Sequence, residues 1–191
     1  MGYKEALEYA TKKHDGKLRK GSNKVPYITH PIEVSKLIEK YMKKDEELEK
    51  YKIAALLHDT LEDTDATYEE EAKLFGKDVA DIVMEVTNDE EKKKKLGKEV
   101  YLANKMVLMN DKSLILKLCD RLHNVSCLRY ASNEFNEKYI KETNYIINFL
   151  LQNRKLNKVQ LKQVNDIMIK VKEVSLNDPV LIKSMKKTYH L

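Results

Sequence analysis

An all-α domain is the fold this sequence predicts, and three observations carry it. Glycine and proline are scarce, at 5 and 3 in 191 residues. Apolar residues recur at helical spacing, and no alternating apolar and polar run reaches strand length. A chain of this size accommodates one domain with a real core. The motifs described below fall within residues 1–151, which are expected to form one helical bundle. Residues 152–191 are expected to be a C-terminal helical extension.

Residues 3–14 open the bundle, with Ala6, Leu7, Ala10 and His14 at helical spacing. A basic loop over 17–27 follows, punctuated by Gly21, Ser22, Asn23 and Pro26. Thr29 reads as the cap of a second helix, with Pro31 and Glu33 as start signals, so His30 stands at a helix entrance facing a cleft. The third helix, about 46–61, is apolar on several sides (Tyr51, Ile53, Ala54, Ala55, Leu56, Leu57) and should run through the middle of the bundle. Thr67-x-x-Glu70 has the capping-box pattern for a fourth helix that stops at Gly76, and 78–86 make a fifth. The lysine-rich segment around Glu91-Lys92-Lys93-Lys94-Lys95 reads as a loop or a helix start. Helix returns over 99–109, 112–130 and 136–151. Beyond 152 an amphipathic pattern (Leu161, Val164, Met168, Val171, Val174) runs until Asn177-Asp178-Pro179 breaks it. That face suits packing on the core or on another copy of the chain, which leaves a homo-oligomer open.

The stretch Leu56-Leu57-His58-Asp59-Thr60-Leu61-Glu62-Asp63 departs from core patterning, because four ionisable residues follow an apolar run. On a continuous helix His58 and Glu62 share one face and Asp59 and Asp63 a second, about 100° round. An imidazole beside a carboxylate suits one divalent cation, with Glu62 and Asp63 placed to handle a water beside it. In the 112–130 helix Leu114, Leu118, Leu122 and Val125 form the core stripe. Asp120 lies off that stripe and shares a face with Leu116, Asn124 and Cys127, so a carboxylate and an amide point together.

Net charge is +5, but 32 lysines against four arginines are scattered along nearly every helix and offset by 31 acids. Solvated helix faces explain this better than a nucleic-acid or membrane surface. The start is charged and no apolar stretch approaches the roughly 18 residues of a spanning helix, so a cytoplasmic protein is expected. Cys119 and Cys127 are eight positions apart on one predicted helix, roughly 12 Å at the helical rise, too far for a disulfide. Free thiols suit a reducing compartment.

Four matches run in order along the chain: Arg19-Lys20 leading to Pro26-Tyr27-Ile28-Thr29-His30-Pro31, then Ala55 to Thr64, then Phe75-Gly76-Lys77-Asp78-Val79-Ala80, then Lys117-Leu118-Cys119-Asp120-Arg121-Leu122-His123-Asn124. They resemble the HD phosphohydrolase superfamily, and more narrowly the hydrolase domain of the Rel/SpoT stringent-response enzymes and free-standing small alarmone hydrolases. The resemblance implies an HD-domain helical bundle in which His30, His58, Asp59 and Asp120 hold a divalent metal, most simply manganese. It implies that Glu62 and Asp63 activate the attacking water, and that Arg19, Lys20 and Asn124 meet a small-molecule nucleotide. Tyr27 and Arg121 match as packing and ligand-orienting residues, while His14 and His123 read as structural histidines or as ones that support the metal ligands.

The match departs from the family where the nucleotide would sit. The family's Met-Arg-Thr after the asparagine is Val125-Ser126-Cys127 here, which puts Cys127 at the substrate position. Its Glu-Asn before the later Lys-Met is Tyr101-Leu102. Those departures bear on guanine recognition more than on phosphate-ester hydrolysis, and the function the resemblance implies is a metal-dependent 3′-pyrophosphohydrolase of guanosine tetra- or pentaphosphate, with no synthetase domain expected in 191 residues. Two alternatives stand beside it: hydrolysis of a related nucleotide such as an adenosine analogue or a modified RNA end, and a non-catalytic metal- or nucleotide-binding module.

Overall fold

The structure, a computed structural model, describes residues 1–19 and 24–176. Lys20 and the break at Asn177-Asp178-Pro179 lie outside the described residues. Among the described residues eleven α-helices follow one another: α1 (Tyr3–Lys13), α2 (Thr29–Met42), α3 (Leu48–Leu57), α4 (Thr60–Asp63), α5 (Tyr68–Phe75), α6 (Lys77–Val86), α7 (Glu90–Leu96), α8 (Lys98–Leu108), α9 (Asp111–Ser126), α10 (Asn133–Asn153) and α11 (Lys158–Leu176). Among the described residues there is no strand, only a single bridge between Leu18 and Pro26 that pinches the basic loop. The all-α expectation holds.

Two helices organise the bundle. α3 packs against α1, α2 and α6, and α9 packs against α2, α6, α10 and α11. From Ala54 to Leu57 every side chain is fully buried, as are Leu114, Leu116 and Leu118 on α9. Each such leucine contributes roughly 1.5–3 kcal/mol of hydrophobic stabilisation. Side-chain caps start the later helices where sequence preference puts them: Thr67 accepts from Glu70 N, Asp89 from Lys92 N, Asn110 from Lys112 N and Ser113 N, and Ser132 from Phe135 N. Gly76 (φ 92°) and Gly97 (φ 83°) pass the chain directly from one helix into the next in a conformation that a side chain would strain.

Three expectations need correction, and of the two readings of the lysine-rich segment the helical one holds. The third helix does not continue to 61; it ends at Leu57, turns through His58-Asp59 and resumes as the short α4. The cause is local: His58 Nδ1 bonds the Ala55 carbonyl at 2.8 Å and Thr60 Oγ1 donates to the Leu57 carbonyl at 2.5 Å. These are the carbonyls a continuous helix would give to Asp59 N and Leu61 N, so side chains replace the backbone ladder. Thr29 is the first residue of α2 rather than its cap, and its hydroxyl donates to the Pro26 carbonyl. The lysine-rich segment is a helix, α7. The 112–130 helix ends at Ser126, and a 3₁₀ turn spans Leu128–Tyr130.

α11 packs against α9, and its Val164, Ile167 and Val171 join the core. Buried Gln163 fixes the contact, its Nε2 donating to the Ile115 carbonyl at 2.9 Å and standing 3.1 Å from the Cys119 thiol. The buried Arg121 ties α9 to α10 through Glu142 (2.8 Å) and lies over the Tyr139 ring.

Candidate metal centre

Three elements converge on one small volume. His30 comes from the first turn of α2, His58 and Asp59 from the turn between α3 and α4, and Asp120 from the middle of α9. Ligating atoms of His30, His58 and Asp120 lie within 4.8 Å of one another. Asp59 joins them, its Oδ2 3.0 Å from His58 Nε2 and 3.5 Å from His30 Nε2. Asp120 Oδ1 is 3.2 Å from His30 Nε2 and 3.8 Å from His58 Nε2. All four expected ligands are therefore together. Both histidines are almost completely buried.

The donor set fits a divalent cation. His58 gives its Nδ1 hydrogen to the Ala55 carbonyl, which leaves the buried Nε2 lone pair facing carboxylates, with no donor for it. Burial opposes charge on His58, yet Asp59 and Asp120 outweigh it and push its pKa up to about 10. The same carboxylates that favour positive charge there favour a bound cation. Burial also works against ionising Asp120, and Lys117, His30 and His58 overcome it, holding this carboxyl well below the usual range. Two imidazoles and two carboxylates leave coordination positions for water and substrate.

Several residues aim the ligands. The Tyr27 hydroxyl donates to Asp59 Oδ2 at 2.6 Å, the role expected of it, and the His14 ring packs on Tyr27 with centroids 4.7 Å apart. Burial lowers the His14 pKa to about 4, so this ring is neutral and serves as packing. Asn124 Nδ2 donates to Asp120 Oδ1 at 2.6 Å, and its Oδ1 accepts from Arg19 Nη2 at 2.8 Å. Arg19 is thereby brought to the site. The Cys127 thiol lies 3.6 Å from His123 Nε2.

Glu62 and Asp63 sit beside the ligands in unlike settings. Glu62 accepts from Asn88 N at 3.1 Å and Asn88 Nδ2 at 3.2 Å, and Lys93 Nζ stands 3.5 Å away. Burial acts against its charge, but Lys117 and Asn88 prevail and its pKa is lowered. Asp63 moves the other way, raised by burial and by the charges of Asp59 and Glu62.

Sequence reasoning placed none of Lys117, Asn88 and Lys93 in the site. Lys117 is 7% exposed with Nζ 3.2 Å from Asp120 Oδ2. Its signal was a lysine inside the apolar run from Leu114 to Leu118. The other two come from segments distant in sequence and carried no motif.

Three comparisons with known proteins bear on this geometry. The HD domain family model matches residues 6–155. The guanosine-3′,5′-bis(diphosphate) 3′-pyrophosphohydrolase MESH1 of Drosophila melanogaster is 37% identical over 129 residues, covering 66% of this chain and 69% of the relative. The guanosine-3′,5′-bis(diphosphate) 3′-pyrophosphohydrolase of Aquifex aeolicus is 43% identical over 148 residues, 72% of this chain. The chain spans 19% of that bacterial relative's length. A solved structure of a metazoan ortholog of SpoT, described as hydrolysing ppGpp and playing a role in starvation responses, superimposes with a TM-score of 0.75 at 29% identity, covering 88% of this chain and 94% of that one.

Proposed function

The chain belongs to the HD domain family, and from that premise we propose that it is a metal-dependent guanosine-3′,5′-bis(diphosphate) 3′-pyrophosphohydrolase, returning GDP or GTP and pyrophosphate. The observation that carries this reading is the convergence of His30, His58, Asp59 and Asp120, with Asp63 one turn past Asp59. Those four residues would hold the cation, and manganese is the metal the family resemblance favours. When bound, the cation supplies Lewis acidity to phosphoryl oxygens and acidifies a water.

The chain's own groups do the rest. Asp63, its pKa raised, is the better proton acceptor for the attacking water. Glu62 is engaged by Asn88 and Lys93, so it fixes the start of α7 beside the cleft and holds Lys93 for an anionic substrate. Arg19, held by Asn124, is placed to grip phosphate or stack on a base, and Lys20 belongs to the same basic loop. Phosphoryl transfer of this kind depends mainly on positioning and charge stabilisation.

Two free cysteines are in keeping with a reducing, cytoplasmic setting. Among the described residues no helix is long and apolar enough to cross a membrane. Hydrolysis of a related nucleotide is the second reading, favoured by one observation: Cys127 lies against His123, where the family presents a threonine to the nucleotide.

Pyrophosphate release from guanosine tetraphosphate with added manganese, beside an adenosine analogue and a chelated control, tests the proposal. Metal-dependent release from the guanosine compound is expected. Release from the adenosine analogue alone would reassign the substrate, and none from either, with manganese bound, would reject hydrolysis of these nucleotides.

A further inference from the structure

His123 stands one turn beyond Asp120 on α9, outside the set of groups that face the cation position. Its Nδ1 lies 2.6 Å from Nδ1 of His30, the rings being 4.8 Å apart and tilted by 30°. At that separation the two nitrogens cannot both carry hydrogen, and neither can both be bare. One donates and the other accepts. His30 Nε2 is the atom turned toward Asp59, Asp120 and His58. A neutral imidazole that ligates through Nε2 carries its hydrogen on Nδ1.

The consequence runs outward. His30 Nδ1 donates, so His123 Nδ1 must accept, and the remaining ring hydrogen of His123 sits on Nε2. That hydrogen points at the Cys127 thiol, 3.6 Å away. We propose that His123 is a positioning residue that fixes the tautomer and ring orientation of His30 for metal binding, with Cys127 completing the chain Cys127, His123, His30. α9 thus supplies one ligand, Asp120, and the group that aims another. This inference rests on the metal reading above.

The arrangement departs from the usual way a ligating histidine is oriented, by a backbone carbonyl or a carboxylate. His58 follows the usual pattern through the Ala55 carbonyl. His30 instead leans on a second imidazole, whose own protonation state is then constrained by its neighbours. Cys127 acquires a function that does not require contact with the nucleotide.

Manganese affinity of the full chain, measured by the electron paramagnetic resonance signal of free Mn²⁺, tests this with four variants. His123→Asn places an amide oxygen close to the Nδ1 position and can still accept from His30; its affinity should stay within about 3-fold of the parent. His123→Gln and His123→Phe lose that acceptor and should weaken binding roughly 10- to 100-fold, the scale for groups that orient a metal ligand. A merely structural role would not be rescued by asparagine over glutamine. His30→Ala is the control: unchanged affinity there would overturn the metal reading itself. Loss in His30→Ala with parent-like affinity in His123→Gln would overturn the positioning role alone. Ring ¹⁵N shifts of the Zn²⁺-loaded parent protein give an independent readout that needs no variant to fold. They should show His123 protonated at Nε2 and bare at Nδ1, and the reverse tautomer would overturn the proposal.

Discussion

Glu62 and Asp63 are adjacent carboxylates in opposite electrostatic surroundings. Glu62 is held down by Lys117 and Asn88 against its burial, whereas Asp63 is raised by burial and by two neighbouring acids. Asp63→Asn should therefore lower kcat by about 10²- to 10⁴-fold, the range for a general base, with manganese still bound. Glu62→Gln should cost less in kcat and show more in KM, because it loosens Lys93 rather than removing the base. Steady-state kinetics with a parallel metal assay separates the two, and equal kcat losses would make Glu62 a proton carrier as well. The four residues that converge on one volume were legible from residue type and motif. The asymmetry between the two acids was not, because it comes from Asn88, Lys93 and Lys117, which only the folded chain brings near.

At the scale of elements, the turn between α3 and α4 is tied to α5 through buried Glu71. Thr60 Oγ1 stands 2.5 Å from both the Leu57 carbonyl and Glu71 Oε1, and its one hydrogen is shared between these two acceptors. Burial pushes the Glu71 pKa up to about 7, with Thr60 opposing and the neighbouring Glu70 adding to the rise. A carboxyl raised on folding binds its proton more tightly in the native state. Its stabilisation is full below the unfolded value of 4.5 and is lost as pH climbs through about 7. The loss amounts to on the order of 3 kcal/mol between those limits. Glu71→Gln keeps an acceptor for Thr60, removes the titrating group and should flatten the fall in Tm between pH 5 and 8, as pH-dependent thermal melts would record. Periodicity carried the long helices, yet it could not locate this turn. His58 and Thr60 take carbonyls away from the helix ladder through their side chains, and an apolar pattern holds no trace of that.

Across the whole molecule, α11 extends the core that carries the site. Ile167 is fully buried and lies on the helix that packs against α9. Ile167→Ala should destabilise the fold by about 2–5 kcal/mol through lost burial and a residual cavity. Chemical denaturation reads this directly, and below the transition kcat should stay near the parent value, since Ile167 touches none of the ligands. A matching loss in kcat would mean that α11 helps to set Asp120. The amphipathic pattern announced this helix without naming its partner. Gln163, an uncharged polar residue in an otherwise apolar stripe, was the overlooked sign that it faces backbone rather than water.

The thread from the Arg19 guanidinium through the Asn124 amide to the Asp120 carboxylate joins the loop proposed to receive substrate to a proposed ligand of the cation. Two binding equilibria that share such a thread share a free energy, and linkage makes the effect reciprocal: the factor by which one guest changes affinity for the other is the same in both directions. Apparent affinity for one guest then becomes a function of the concentration of the other. Under the proposed function, substrate saturation curves recorded at several manganese concentrations would carry that dependence.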